Sequence, residues 1–263
     1  MIVKRVFITG ASSGLGAALA RHYAATGAVL GLVARRRAVL EELVASLPGS
    51  ASHCIYPLDV TDHAALAAAA RDFTASGGID IVIANAGISV GTLTEAEGDL
   101  RAFEQVFATN VTATAATFAP FLPAMRAQAH GGARAMRLVG IGSVAGIRGL
   151  PGAGAYSASK AAVISYCESL RVELRGSGIR VVTIAPGYID TPMTQVNAYR
   201  MPFLLPAPVF AARAAAAIAT GVSFRVIPWQ MGGVAKLLRI LPNWLYDAVF
   251  SRAPRKTRDS GST

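Results

Sequence analysis

The chain has 263 residues, 53% of them hydrophobic and 15% charged, with a formal net charge of +10 and a mean hydropathy of +0.45. Such a composition excludes a disordered or fibrous chain and suits a large α/β domain whose parallel sheet is buried on both faces. No apolar run reaches the roughly 18 to 20 residues of a membrane-spanning helix, the cysteines Cys54 and Cys167 make no disulfide framework, and the four histidines lack ligand spacing, so no metal is expected. Met1-Ile-Val-Lys-Arg leads straight into apolar sequence with no room for a signal peptide, which places the protein in the cytoplasm as an expectation. Residues 3–8 read as a short buried strand that runs into Thr9-Gly10-Ala-Ser-Ser-Gly14-Leu-Gly16 and then into a helical pattern to Thr26. Strand, glycine-rich turn and helix form half of a dinucleotide-binding βαβ unit. In that reading Gly10 permits the turn, Gly14 lets backbone approach a pyrophosphate, and Gly16 lets helix and strand pack closely. The helix N-terminus offers free N–H groups and positive dipole to phosphate.

Further strands are predicted over residues 29–34, 52–57, 81–85, 135–141 and 179–184. Helices are predicted over 38–47, 64–76 and 100–125, and from the Tyr156 region to about Gly176. A Gly131-Gly132 turn precedes the fifth strand. The alternation implies right-handed crossovers and one doubly wound parallel sheet of about seven strands with helices on both faces. No linker interrupts it, so residues 1–254 are expected to form a single catalytic domain, with 188–250 shaping the substrate region and 255–263 a disordered basic tail. Ligands of such sheets bind at the carboxyl ends of the strands, where Asn85, Ser143 and Pro186 all fall.

The chemistry is suggested by Tyr156-Ser-Ala-Ser-Lys160. On a helix the two outer side chains share a face. An ammonium beside a phenol favours phenolate, so the phenol pKa is expected below its usual value of about 10, tuned for proton transfer near neutrality. At the end of the second strand stands Ala34-Arg35-Arg36-Arg37, without the acidic residue that binds the adenosine ribose in NAD enzymes. Arginine forks match a 2′-phosphate instead, which favours NADP(H).

Together these residues resemble the short-chain dehydrogenase/reductase family over residues 3 to about 192: the glycine motif, Asn85-Ala86-Gly87 after the fourth strand, Asn110, Ser143, Tyr156 and Lys160 at the catalytic positions, and Pro186-Gly187-x-Ile189-x-Thr191 at the segment closing over the nicotinamide. The resemblance implies an oxidoreductase with Tyr156 as general acid/base, Lys160 holding the nicotinamide ribose, Ser143 on the carbonyl oxygen and Asn110 supporting a water. It implies a coenzyme site of Gly10, Ser12, Ser13, Gly14, Leu15, Gly16, Arg35, Arg36, Asp59, Val60, Asn85, Ala86, Gly87, Tyr156, Lys160, Pro186, Gly187, Ile189 and Thr191. It also implies a homodimer or homotetramer, with the uncharged stretch Val111 to Met125, limited by Pro120 and Pro123, at the position of the helix that pairs between subunits. Asp59 can equally cap the next turn with Thr61 and Asp62, Asn110 can cap or kink its helix, and Thr191 can cap a helix before Pro192.

The C-terminal third carries no such motif. Arg225, Lys236, Arg239, Arg252, Arg255, Lys256 and Arg258 alternate there with Trp229, Leu237, Leu238, Ile240, Leu241, Trp244, Leu245, Tyr246, Val249 and Phe250. That mixture suits a helix lying in a membrane interface, or a helical lid or subunit contact with a basic tail. The substrate is expected to be an apolar carbonyl or alcohol, and no stacking platform supports nucleic-acid binding. A non-catalytic NADP-binding regulator, a membrane-surface scaffold, or an enzyme of epimerisation or dehydration on the same fold are the alternatives.

Overall fold

A computed structural model describes residues 3–130, 135–197 and 200–251. The expected Gly131-Gly132 turn and the tail 255–263 lie outside the described residues. Elements alternate along the chain: β1 (Arg5–Thr9), α1 (Gly14–Ala25), β2 (Val29–Ala34), α2 (Arg37–Ala45), β3 (Cys54–Pro57), α3 (His63–Ala75), β4 (Ile81–Ala84), α4 (Asp99–Phe107), α5 (Ala113–Phe118), α6 (Leu122–His130), β5 (Met136–Ile141) and α7 (Gly154–Glu173). After these come β6 (Ile179–Pro186), β7 (Ile189–Asp190), α8 (Pro192–Gln195), β8 (Leu205–Pro206), α9 (Ala207–Thr220), β9 (Phe224–Ile227), α10 (Trp229–Ile240) and α11 (Asn243–Phe250).

The main sheet has seven strands in the order β3-β2-β1-β4-β5-β6-β9, and every pairing within it is parallel. Strand order reverses between β1 and β4, so connections on either side leave in opposite directions and a crevice opens at the carboxyl ends. The doubly wound parallel sheet expected from the alternation is therefore present. The seventh strand, β9, was not placed by the sequence reading; half of it is exposed, so it lacks the continuous apolar signature of the others.

Strand residues alternate between two cores, as the period of two requires. Val6 and Ile8 of β1 pack with Leu19, Tyr23, Leu40 and Phe210 on one face, while Phe7 joins Phe73, Phe118, Phe121 and Leu170 on the other. The Phe7 ring meets Phe73 at 5.7 Å and Phe121 edge-on at 4.9 Å. At the amino ends, Arg5 ties β1 to β4. Its backbone N–H donates to Asp80 Oδ2 at 2.7 Å, its guanidinium donates to Phe73 O at 2.7 Å and Gly78 O at 2.9 Å, and it lies 4.3 Å over the Phe73 ring.

One expected element differs. The long helix predicted over 100–125 is broken into α4, a turn of π-helix at Ala108–Thr112, α5, a 3₁₀ turn at Ala119–Phe121 and α6. Pro120 accounts for the second break, because it has no amide to donate. The first coincides with Asn110, whose side chain bonds outside the helix.

Replacing Phe73 by Ala removes a fully buried ring shared by Phe7 and Arg5. The expected cost is about 3–5 kcal/mol of stability, measured as a shift of the urea unfolding midpoint.

Candidate functional site

A cavity of about 710 Å³ occupies the crevice. Of the residues expected to bind coenzyme or take part in catalysis, all but Gly16 and Asn110 line it. Those two stand behind the wall and shape it.

The first wall is the glycine turn. Gly10 has φ +68°, a left-handed conformation. A side chain on Gly16 would place Cβ 2.2 Å from Gly10 O, so the turn can fold back onto α1 only with glycine there. Thr9, absent from the expected set, holds this turn to the loop after β4. Its Oγ1 accepts from the N–H groups of Asn85 and Ala86, both at 3.1 Å. In return Asn85 Nδ2 donates to Thr9 O at 2.9 Å and Gly10 O at 3.2 Å. The signals for Thr9 are its place at the head of the glycine motif and a polar residue closing an apolar strand. The α1 N-terminus faces the cavity through Gly14 and Leu15 with no acidic residue in its first turn, an environment suited to phosphate.

At the end of β2, the Arg35 side chain is 76% exposed and 3.9 Å from Asp59. Arg36 Nη2 donates to Ser12 Oγ at 3.4 Å. Asp59 accepts from Thr61 N–H at 2.9 Å and Thr61 Oγ1 at 2.8 Å. The Thr61 amide, with help from Arg35, holds its carboxyl below the usual range. Asp59 thus caps the turn as well as lining the cavity.

The third wall carries the polar side chains. Ser143 follows β5 and caps a short 3₁₀ turn, its Oγ accepting from Ala145 N–H at 3.1 Å. Its hydroxyl also hydrogen-bonds Tyr156 at the start of α7. Lys160, one turn further along, donates from Nζ to Ile141 O at 2.8 Å and lies 5.8 Å from the centre of the Tyr156 ring. The shared helix face expected of the pair is present, but the expected electrostatics are not. Burial raises the Tyr156 phenol above its ordinary value, with the Ser143 hydrogen bond opposing it. Burial likewise lowers the Lys160 ammonium to about 8. Both groups are buried, and loss of water disfavours the charged form of each.

Asn110 lies in the π turn. Its Oδ1 accepts from Ile88 N–H at 2.8 Å, and its Nδ2 donates to Ile88 O at 3.0 Å and Ser159 Oγ at 2.9 Å. Ser159 Oγ in turn donates to Tyr156 O at 2.8 Å. Asn110 therefore connects the β4 loop to the backbone of Tyr156. Thr191 caps α8, accepting from Thr194 N–H at 2.9 Å through its carbonyl, and lines the cavity beside Met193 and Thr194, which were not anticipated.

A family model described as short chain dehydrogenase matches residues 4–200. The chain belongs to that family. An uncharacterized oxidoreductase of Myxococcus xanthus is 38% identical over 255 residues, 96% of this chain and 98% of the other. A 3-ketoacyl-(acyl-carrier-protein) reductase from Brucella melitensis, solved with NADH, superposes with a TM-score of 0.76 at 25% identity, covering 85% of this chain and 96% of that one. A short chain dehydrogenase from Burkholderia cenocepacia, solved with NADP, superposes with a TM-score of 0.79 at 24% identity, covering 96% and 98%. This short chain dehydrogenase is thus an oxidoreductase of a fold that binds nicotinamide coenzymes.

The buried Lys160 has a consequence for stability. Its folded pKa lies below the unfolded value, so between about pH 8 and the unfolded value near 10.5 the unfolded chain binds the extra proton. Stability of the free protein is therefore expected to rise with pH across that window relative to Lys160→Met, and to run parallel with it below pH 8. Denaturant midpoints of both proteins from pH 7 to 10 measure this.

Proposed function

We propose that this chain is an NADP(H)-dependent oxidoreductase that interconverts a carbonyl and a secondary alcohol on an apolar small molecule. The observation that carries the reading is the convergence of Ser143, Tyr156 and Lys160 on one cavity whose far end presents Arg35 and Arg36. Bound NADPH supplies the hydride. The Ser143 hydroxyl hydrogen-bonds the carbonyl oxygen and stabilises charge developing there. As that charge grows, Tyr156 Oη donates its proton to the oxygen; in oxidation the phenolate takes the proton back. A phenol raised by burial remains protonated at neutral pH, which suits reduction. Lys160, held by Ile141 O, stands beside the phenol to stabilise the phenolate and hold the nicotinamide ribose. Asn110 acts as a positioning residue through Ile88 and Ser159.

The coenzyme preference rests on the end of β2. Arg35 and Arg36 are directed to the cavity, and Ala34 occupies the place of a ribose-binding acid. The neighbouring carboxylate, Asp59, is engaged by Thr61 and Arg35. The same proposal includes a cytoplasmic homodimer or homotetramer formed through residues 111–125, the stretch that carries α5 and the start of α6.

Tyr156→Phe is expected to lower kcat by about 10²- to 10⁴-fold while the NADPH dissociation constant changes little, read by stopped-flow turnover and fluorescence titration. Arg35→Ala is expected to weaken NADPH about ten- to a hundredfold, as loss of a charge-assisted hydrogen bond implies, and to spare NADH. Equal loss of both coenzymes overturns the NADP assignment.

A further inference from the structure

The C-terminal helices turn apolar side chains outward. On α10, Trp229, Gly233, Leu237 and Ile240 recur at helical spacing on one face, opposite the buried Met231 and Ala235. Both tryptophans of the chain are here, Trp229 at 73% and Trp244 of α11 at 72% exposure. Val249 is exposed as well. The hairpin is firmly held: Arg148, in the loop after β5, donates to Leu241 O at 3.1 Å and Asn243 Oδ1 at 3.1 Å and lies 4.1 Å over the Tyr246 ring. The Tyr246 hydroxyl donates to Gly149 O. The outward apolar face is therefore part of an anchored structure.

Charge indicates what meets this face. From Thr191 to Thr263 the chain has nine Lys or Arg and two acidic residues, Asp247 and Asp259, so +7 of the net +10 lies in this last segment. Lys236 sits on the same side of α10 as Trp229 and Ile240, and Arg239 flanks it. No acidic residue occurs in α10, and Asp247 is the sole one in α11. Outward tryptophans with flanking cations match the boundary of an anionic bilayer. A second copy would bring like charge against like, and the phosphate backbone of duplex nucleic acid offers the aliphatic Leu237 and Ile240 nothing to bury against. With 12 and 8 residues, these helices are too short to cross a membrane.

We propose that α10 and α11 dock this protein flat on anionic phospholipid membranes, with Trp229, Leu237, Ile240 and Trp244 entering the interface and Lys236 and Arg239 meeting lipid phosphates. Binding does not depend on the coenzyme or on the reaction, so it stands or fails separately from the activity proposed above. The test uses the full chain with vesicles of phosphatidylcholine alone or with 30% phosphatidylglycerol. Co-sedimentation is expected only with the anionic vesicles, together with a blue shift of tryptophan emission and quenching by brominated lipid chains. Lys236→Gln/Arg239→Gln is expected to weaken binding about thirtyfold, at roughly 1 kcal/mol per basic side chain. Leu237→Ser/Ile240→Ser is expected to abolish the blue shift, with circular dichroism and thermal melting reporting an intact fold. The proposal is overturned if anionic vesicles cause neither shift nor quenching, or if both double variants bind as the parent does. It is also overturned if the tryptophans are already shielded from acrylamide in a lipid-free oligomer that the apolar variant dissociates, because a second copy then covers the face.

Discussion

The site depends on a clasp between two strand ends that the sheet itself leaves apart. β1 and β4 are neighbours at the point where strand order reverses, so their following loops diverge. Thr9 and Asn85 bridge that divergence with four hydrogen bonds, two from the Asn85–Ala86 backbone to one hydroxyl and two from one amide to the glycine turn. Thr9 is almost wholly buried, where an unmade hydrogen bond is costly. The clasp thus fixes the turn, and with it the start of α1, relative to the loop that leads to Ile88 and Asn110. Arg5 and Asp80 perform the matching task at the opposite ends of the same two strands.

From the β4 loop a second chain of contacts reaches α7. Ile88 is held by Asn110, Asn110 by Ser159, and Ser159 by the backbone of Tyr156. A π turn is what lets Asn110 serve two segments at once, at the expense of a continuous helix. The polar side chains that result are buried and charge-poor. Neither Tyr156 nor Lys160 is held near its solution behaviour, and each is displaced toward its neutral form. The buried phenol stays a proton donor over a wider pH range than an exposed one, and the Lys160 ammonium, lowered to about 8, loses its proton closer to neutrality than an exposed lysine does.

The C-terminal helices are linked to the same region from the other side. Arg148 and Gly149 lie in the stretch between Ser143 and Tyr156, and they receive α10 and α11. Whatever contacts the outer face of these helices is thereby connected to the loop that carries the Ser143 hydroxyl. The concentration of positive charge and outward apolar side chains in one terminal segment, against a more balanced remainder, gives this part of the molecule a character of its own.

Much of this architecture was legible in the residues themselves. Alternating strand and helix patterns gave the doubly wound sheet, and the glycine turn, Asn85, Ser143, Tyr156 and Lys160 fell on one cavity, because these positions are dictated by local conformation and by strand ends. Strand β9, half exposed, and the break at Asn110 were not legible, since their cause is a contact far away in sequence. The bridging roles of Thr9, known only as the first residue of the glycine motif, and of Arg148 were not legible for the same reason: each acts on a partner more than 70 residues distant. The order of residues determined which groups exist and on which helix face they stand. Only tertiary structure decided the direction in which their pKa values move, because the removal of water from Tyr156 and Lys160 is done by every element packed around them and by no residue of their own helix alone.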